Sequence, residues 1–170
     1  MKRSLIYISL VFLAAVTFVA CRKSDNPKLP VLIRVPTPLI KKDPTGDQTL
    51  SAKDASKFNA KIIVDVLFKS DVLPQKMDLV IIKNTSRANV KTLQADITAF
   101  PTTVTLTGAQ LVSLFGSPVA QNDRFDIGVD ITTQAGQKYL AFPTDGGAAY
   151  ATSISNQVGS SVAVNFIAAQ

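Results

Sequence analysis

The amino-acid sequence predicts an all-β protein, and three observations carry this prediction. All 12 acidic residues are aspartate, so the strong helix former glutamate is missing, whereas Val, Ile and Thr are abundant. After residue 58, apolar side chains recur at every second position, which is the period of a half-buried strand. Turn-forming residues separate these runs at short intervals. A chain of 170 residues has room for one domain of ordinary size.

The first core strand is predicted over residues 58–68. Its side chains at Ile62, Val64, Val66 and Phe68 fall on one face, and charged side chains occupy the other. Later runs repeat this alternation between turn signals. They predict further strands over residues 77–82, 90–98, 100–106, 124–132, 138–142 and 161–169.

One short helix interrupts the strands near residues 107–115. Thr107 is suited to cap its first turn, and Leu111, Leu114 and Phe115 fall on one side of it. Gly116 predicts its end, because glycine readily adopts the left-handed conformation that closes a helix.

The strand over residues 124–132 alternates most cleanly, with Asp126 and Asp130 predicted to point outward. Together the runs give about seven antiparallel strands connected by short turns. This pattern predicts an immunoglobulin-like antiparallel β-sandwich with one short helix.

The first twenty residues have the pattern of a secretory signal peptide. Lys2 and Arg3 precede an almost uninterrupted apolar run from Leu5 to Val19. This run is short for a helix that must cross roughly 30 Å of hydrocarbon. We therefore expect cleavage rather than a retained transmembrane anchor.

The stretch Phe18-Val19-Ala20-Cys21 resembles the lipobox of bacterial lipoproteins. The resemblance implies that Cys21 is diacylated on sulfur and becomes the mature N-terminus, so that lipid holds the protein in the membrane. The alternative is an ordinary signal peptide whose apolar run happens to contain a cysteine.

The mature chain is predicted to consist of a tether and one body. Five prolines lie between residues 22 and 57, too closely spaced for a helix. We expect one edge strand there, Val31 to Val35, and a surface loop from Lys41 to Lys57. The predicted organisation is a signal peptide over residues 1–20, a lipidated N-terminus and proline-rich tether over 21–57, and the sandwich over 58–170.

Composition excludes several functional classes. Because the chain has no histidine, it cannot form a Ser-His-Asp or Cys-His catalytic group, and it cannot bind a metal through histidine. One cysteine permits no intramolecular disulfide and no zinc site with several thiolates. The net charge of +6 comes from scattered lysines with no arginine-rich run, which argues against nucleic-acid binding. We expect no catalytic residue, no metal and no cofactor.

Two aspartate-rich stretches of the sequence are candidate calcium sites. Asp43 and Asp47, with Asp54 further along, offer oxygen ligands at alternate positions, but the EF-hand pattern fails because no glutamate closes the loop. Asn122 and Asp123 with Asp126 and Asp130 offer a second oxygen cluster, but Asp126 and Asp130, which share a strand face, are separated by four residues, or roughly 13 Å. We expect a solvated turn in the first case and separate carboxylates in the second.

Glycan binding by sandwich domains usually relies on exposed aromatic rings. The mature chain has no tryptophan, and Tyr139 and Tyr150 are the two aromatic residues best placed in the sequence to be exposed. They are the candidate ligand-binding residues of an alternative hypothesis, in which the protein itself is a module that binds a glycan or another small ligand.

Three stretches resemble segments of small Bacteroidota cell-envelope lipoproteins: residues 97–111, 125–131 and 136–139. Such lipoproteins carry an immunoglobulin-like domain and often accompany starch-utilisation-type glycan uptake systems. The resemblance implies a non-catalytic accessory or structural lipoprotein of the outer membrane, facing the cell surface or the periplasm. It implies an outer-membrane transporter or a surface glycan-binding protein as partner.

Overall fold

The computed structural model describes residues 35–144 and 157–170. Strands make up 44% of the structure, and the α-helix α1, Gly108–Phe115, is short. Two 3₁₀ turns span Ala55–Lys57 and Arg87–Asn89. The strands are β1 (Pro38–Lys42), β2 (Leu50–Ser51), β3 (Asn59–Val66), β4 (Lys76–Lys83), β5 (Lys91–Ile97), β6 (Thr102–Thr107), β7 (Arg124–Thr132), β8 (Lys138–Tyr139) and β9 (Ala163–Ala169).

β3 forms the centre of a three-stranded antiparallel sheet. β1 pairs with one of its edges, with Pro38 opposite Val66. β6 pairs with the other, with Asn59 opposite Thr107. Alternate residues of β3 are buried, as the period of two in the sequence predicts.

A six-stranded mixed sheet, in the order β2-β9-β7-β4-β5, curls into a half-barrel. β8 pairs with Ile131 and Thr132 at the C-terminal end of β7, whereas β9 pairs with residues 124–128 of that strand. The β2–β9 pair is parallel and the other pairs are antiparallel. An isolated bridge between Leu39 and Ser161 links the two sheets.

The space between the sheets is filled by apolar side chains from both. Phe58 and Phe166 meet edge-on, with ring centroids 5.2 Å apart. Phe115 of the helix packs against Phe125, with ring centroids 5.7 Å apart. The largest fully buried side chains also include Ile40, Leu50, Ile62, Met77, Leu79, Ile81, Leu106, Leu111, Ile127 and Ile131.

The short helix begins and ends where the sequence predicts. The Thr107 side chain accepts a hydrogen bond from the Gln110 N–H at 3.2 Å, and Gln110 Oε1 accepts one from the Thr107 N–H at 2.8 Å. This reciprocal pair is a capping box. Gly116 closes the helix in the left-handed conformation, with φ of 67°.

The prediction of a mostly β protein with one short helix is confirmed. Two details of the predicted strands are wrong. Leu50 lies in the segment expected to be a surface loop, yet it is fully buried in β2, where it pairs with Ala168. Phe68 was expected in the core, but β3 ends at Val66 and the Phe68 side chain is 47% exposed in the following loop.

The prediction that Asp126 and Asp130 point to solvent is also wrong, because both residues are buried. Every residue of β7 from Phe125 to Ile131 is buried, so the strand is covered on both faces. On the second face the chain at Ala141 and Phe142 crosses over Gly128.

The N-terminal part of the described chain belongs to the sheets. The compact unit that includes both sheets begins at residue 34, and β1 and β2 precede the position at which the sandwich was expected to begin. The edge strand predicted at Val31 to Val35 lies largely outside the described residues. The parallel β2–β9 pair departs from the predicted purely antiparallel arrangement.

Candidate functional site

A groove of about 550 Å³ separates β5 from β6. Each of these strands lies at one edge of its sheet, β5 in the six-stranded sheet and β6 in the three-stranded one, and no further strand of the described residues pairs with that edge. The volume lies within the range of roughly 300–1,000 Å³ that ligand pockets have. The residues that line it are Leu93, Gln94, Asp96, Ile97, Thr98, Ala99, Thr102, Thr103, Val104, Thr105 and Gln110.

The unpaired edge of β6 faces this groove. The Gly108 N–H donates to the Phe58 carbonyl at 3.0 Å, which fixes the phase of the β3–β6 ladder. Because alternate residues of an antiparallel strand bond to the same neighbour, Leu106 and the other even-numbered residues of β6 bond to β3. Thr103 and Thr105 therefore direct their backbone N–H and C=O groups away from β3, toward the groove.

On the opposite wall, β5 is bulged. Its register with β4 shifts between Met77 and Leu79 and again between Leu79 and Val80. Asp96 adopts a left-handed conformation, with φ of 55°, and its N–H donates to Asp78 Oδ1 at 2.8 Å. A bulge of this kind twists an edge strand and interrupts its row of pairing groups.

Charged side chains hold the bulge in place. Lys76 Nζ lies 2.6 Å from Asp96 Oδ1 and 3.7 Å from Asp78 Oδ1. The hydrogen bond to Asp96, followed by the charge of Asp78, raises the pKa of Lys76 above its ordinary value. The Asp96 carboxylate is therefore neutralised by a lysine at the rim of the groove.

The lining of the groove offers neutral polar groups. Thr102 Oγ1 donates to the Ala99 carbonyl at 2.6 Å. Gln110 uses its Oε1 in the capping box. Hydroxyls, amides and edge backbone are suited to hydrogen-bond a polar, extended ligand, and Leu93, Ile97 and Val104 add apolar contact area.

Of the two predicted ligand-binding residues, Tyr139 does not line this groove. Tyr150 and the predicted lipidation site, Cys21, lie outside the described residues. Tyr139 lies on β8, which pairs with β7, and β4 separates β7 from β5. Its ring packs partly buried against the core and its hydroxyl donates to Gln137 Oε1 at 3.2 Å.

The aspartates of the first loop are held in turns. Asp43 Oδ1 accepts hydrogen bonds from the Thr45 N–H and hydroxyl, both at 2.8 Å, and these bonds lower the pKa of Asp43. Asp47 Oδ2 accepts from the Asn59 N–H at 2.7 Å. Asp54 forms an ion pair with Lys57 at 2.9 Å. Each carboxylate has its own local partner.

Asp126 and Asp130 are likewise held separately. Arg124 Nε donates to both Asp126 oxygens, at 2.8 and 3.0 Å. Asp130 accepts from the Ala141 N–H at 2.9 Å and pairs with Lys138 at 3.3 Å. Within residues 35–144 and 157–170, no cluster of three metal-ligating side chains is present.

A buried ion pair that the sequence did not reveal lies where β7 begins. Lys83 Nζ is 2.7 Å from Asp123 Oδ2, and the two side chains are only 19% and 9% exposed. Burial acts to raise the pKa of Asp123, but hydrogen bonds from Lys83, the Ala120 N–H and Asn84 outweigh it, so the pKa is lowered. This network joins β4 to the loop before β7 and has a structural role.

Sequence reasoning also missed the β5–β6 groove. The alternation in Thr102–Thr107 predicts a strand, but the sequence does not show which of its two edges lacks a partner. That depends on strand order, which is a property of the whole fold.

Comparison with known proteins gave no match to a family model, a curated protein or a solved structure. Among the described residues, no helix is long and apolar enough to cross a membrane.

Proposed function

We propose that the chain is a non-catalytic, lipid-anchored outer-membrane protein that acts as an accessory or structural component of a cell-surface assembly. In this proposal its body binds a partner protein through the groove between β5 and β6. The observation that carries the binding role is the free edge of β6, whose Thr103 and Thr105 backbone groups face the groove.

A free strand edge favours one mode of recognition. An extended segment of a partner can add to such an edge, where its backbone groups supply the hydrogen bonds and flanking side chains supply specificity. The bulge at Asp96 interrupts the β5 edge, whereas β6 pairs in unbroken register with β3 over six residue pairs. Strand addition is therefore expected on the β6 side of the groove.

We infer that the body is related to immunoglobulin-like sandwiches, and strand order supports this. The order β1-β3-β6 corresponds to A-B-E of that fold, and β9-β7-β4 corresponds to G-F-C. In the constant-type fold a fourth strand, D, extends the A-B-E sheet beyond E. The free edge of β6 is the position of that strand, so a partner segment would complete the sheet.

The membrane setting rests on the signal peptide and the lipobox-like stretch that ends at Cys21. The resemblance to Bacteroidota envelope lipoproteins points to a glycan-uptake complex as the assembly. An outer-membrane transporter or a surface glycan-binding protein is the partner that we propose.

The test is affinity purification of the full-length lipoprotein from gently solubilised membranes. A Cys21→Ser variant is the unanchored control. In a second pair, Thr103→Pro removes a backbone N–H that faces the groove, and Thr103→Ala removes only the side-chain hydroxyl and methyl groups.

We expect a stoichiometric envelope protein with the unmodified chain and with Thr103→Ala, and its loss with Thr103→Pro and with Cys21→Ser. Equal recovery with both Thr103 variants would reject strand addition on β6. Recovery of the protein alone in every case would reject the accessory role, and the alternative of a glycan-binding module would then be tested by glycan screening.

A further inference from the structure

Four exposed apolar side chains lie at one end of the body, and we name them the apolar tip: Phe68, Val72, Leu73 and Val158. They are 47%, 59%, 42% and 99% exposed, respectively. Seven large hydrophobic side chains are exposed among the described residues, so the tip holds four of the seven. Exposed apolar groups concentrated in this way usually mark an interaction surface.

Hydrogen bonds place the tip where the chain enters the body from its N-terminal side. The Leu67 N–H donates to the Thr37 carbonyl at 2.9 Å, one residue before Phe68. Thr37 Oγ1 donates to Gln157 Oε1 at 2.7 Å, next to Val158. The two parts of the tip therefore flank Thr37, just before β1 begins.

The distance along the chain from the lipid to this entry point is short. Residues 22–34 number 13, and a segment of that length spans at most roughly 45 Å when fully extended. Because the chain enters the body beside the tip, a lipid on Cys21 would be tethered to this end of the body and not to the end that carries α1.

The chemistry of the loop suits the boundary between headgroups and acyl chains. Phe68, Val72 and Leu73 supply apolar area, and two charged residues lie among them: Lys69, with a side chain that is 64% exposed, and Asp71. Lys69 is also 3.1 Å from Asp65 Oδ2, so its charge is partly balanced. An aromatic and aliphatic loop with a lysine at its rim is typical of surfaces that lie in the membrane interface.

We propose that the apolar tip inserts into the interface of the bilayer that carries the Cys21 lipid and thereby orients the body, with the α1 end away from the membrane. The inference rests on the proposed lipid anchor. It adds a second contact to that anchor, and it leaves the β5–β6 groove to the partner protein.

The test uses single labelled cysteines in the mature lipoprotein. Lipidation occupies Cys21, so an introduced cysteine is the only free thiol. Val72→Cys and Val112→Cys each receive an environment-sensitive fluorophore, and the proteins are reconstituted into vesicles of phosphatidylethanolamine and phosphatidylglycerol that contain spin-labelled quenching lipid. Val112 is the matched control: it is an exposed valine on α1, near the opposite end of β3, roughly 25 Å of strand away.

We expect roughly twofold lower emission at position 72 in the presence of quenching lipid and no change at position 112, because the tip would lie at the depth of interfacial side chains. Equal emission at position 72 with and without quencher would overturn the inference while leaving the lipid anchor intact. A spectral shift at position 72 in native membranes but not in lipid vesicles would assign the tip to a protein instead. Failure of the protein to incorporate into vesicles would reject the anchor itself and the inference with it.

Discussion

Strands β7 and β6 differ in how many of their edges are paired and in how much of each strand is buried. β7 is flanked by β4 on one edge and by β9 and β8 on the other, and its residues from Phe125 to Ile131 are all buried. Among residues 35–144 and 157–170, β6 has a partner strand on one edge only, and Leu106 is its one buried residue. The stability of the body is therefore concentrated around β7, whereas β6 has backbone groups available for binding.

Loss of a core side chain of β7 should lower stability more than any other change considered. Phe125→Ala removes a fully buried ring that packs against Phe115, and we expect it to lower the free energy of unfolding by about 3–5 kcal/mol. Thr105→Ala on the exposed face of β6 is the matched control and should change it by less than about 0.5 kcal/mol. Urea unfolding measures both, and similar losses for the two variants would contradict the comparison.

The Lys83–Asp123 ion pair at the start of β7 should make the second-largest contribution to stability. Asp123→Asn leaves Lys83 largely buried without its counter-charge, and we expect a loss of about 3 kcal/mol at neutral pH. Because the pKa of Asp123 is lowered in the folded protein, its contribution is present above the unfolded value of about 3.9 and is lost as the pH falls through the folded value.

Urea unfolding of both proteins from neutral to acidic pH tests this sign. The unmodified chain should lose stability more steeply than Asp123→Asn below about pH 4, so that the two curves converge in acid. Curves that stay parallel down to low pH would show that Asp123 is not the group responsible.

The covered second face of β7 gives a third prediction. A Cβ at Gly128 would lie 2.8 Å from the Ala141 Cβ and 3.3 Å from the Phe142 ring. Gly128→Ala should therefore displace this segment and lower stability by about 2 kcal/mol. Ala141→Gly in the same chain removes the clashing methyl group and should restore part of the loss, and a double-mutant cycle in urea measures this coupling. Strictly additive losses would show that the two residues do not meet.

Strands β7 and β6 also show how much of the fold the sequence predicts. The alternation in residues 124–132 predicts β7. It cannot show that residues 141–142 cover the outer face of that strand, because this is a tertiary contact, in which the Ala141 N–H donates to Asp130. From this pattern alone, Asp126 and Asp130 are predicted to face solvent. Local pattern gives the strand, and tertiary contact decides which of its faces are buried.

The candidate site shows the same limit. Threonines alternate through Thr102–Thr107 and predict β6 well, but the free edge of that strand is set by which strands lie beside it. Leu50 was missed for a related reason: a two-residue parallel strand leaves no period to detect in a polar segment. Thr107 and Gly116, by contrast, fix the helix through local chemistry, and the prediction there is confirmed.

The smallest change in stability is expected at the end of β6, where Thr107 and Thr105 should differ in what their side chains contribute. Thr107→Ala removes the capping side chain of α1, which accepts from the Gln110 N–H, and we expect a loss of about 1 kcal/mol. Thr105 lies two residues earlier on β6 with an exposed side chain, so Thr105→Ala should be nearly neutral in stability. Thr107→Ser keeps the capping oxygen and should recover most of the loss, as measured by urea unfolding. Equal losses for Thr105→Ala and Thr107→Ala would show that the stability lost at Thr107 comes from replacing a β-branched residue in a strand and not from removing the helix cap.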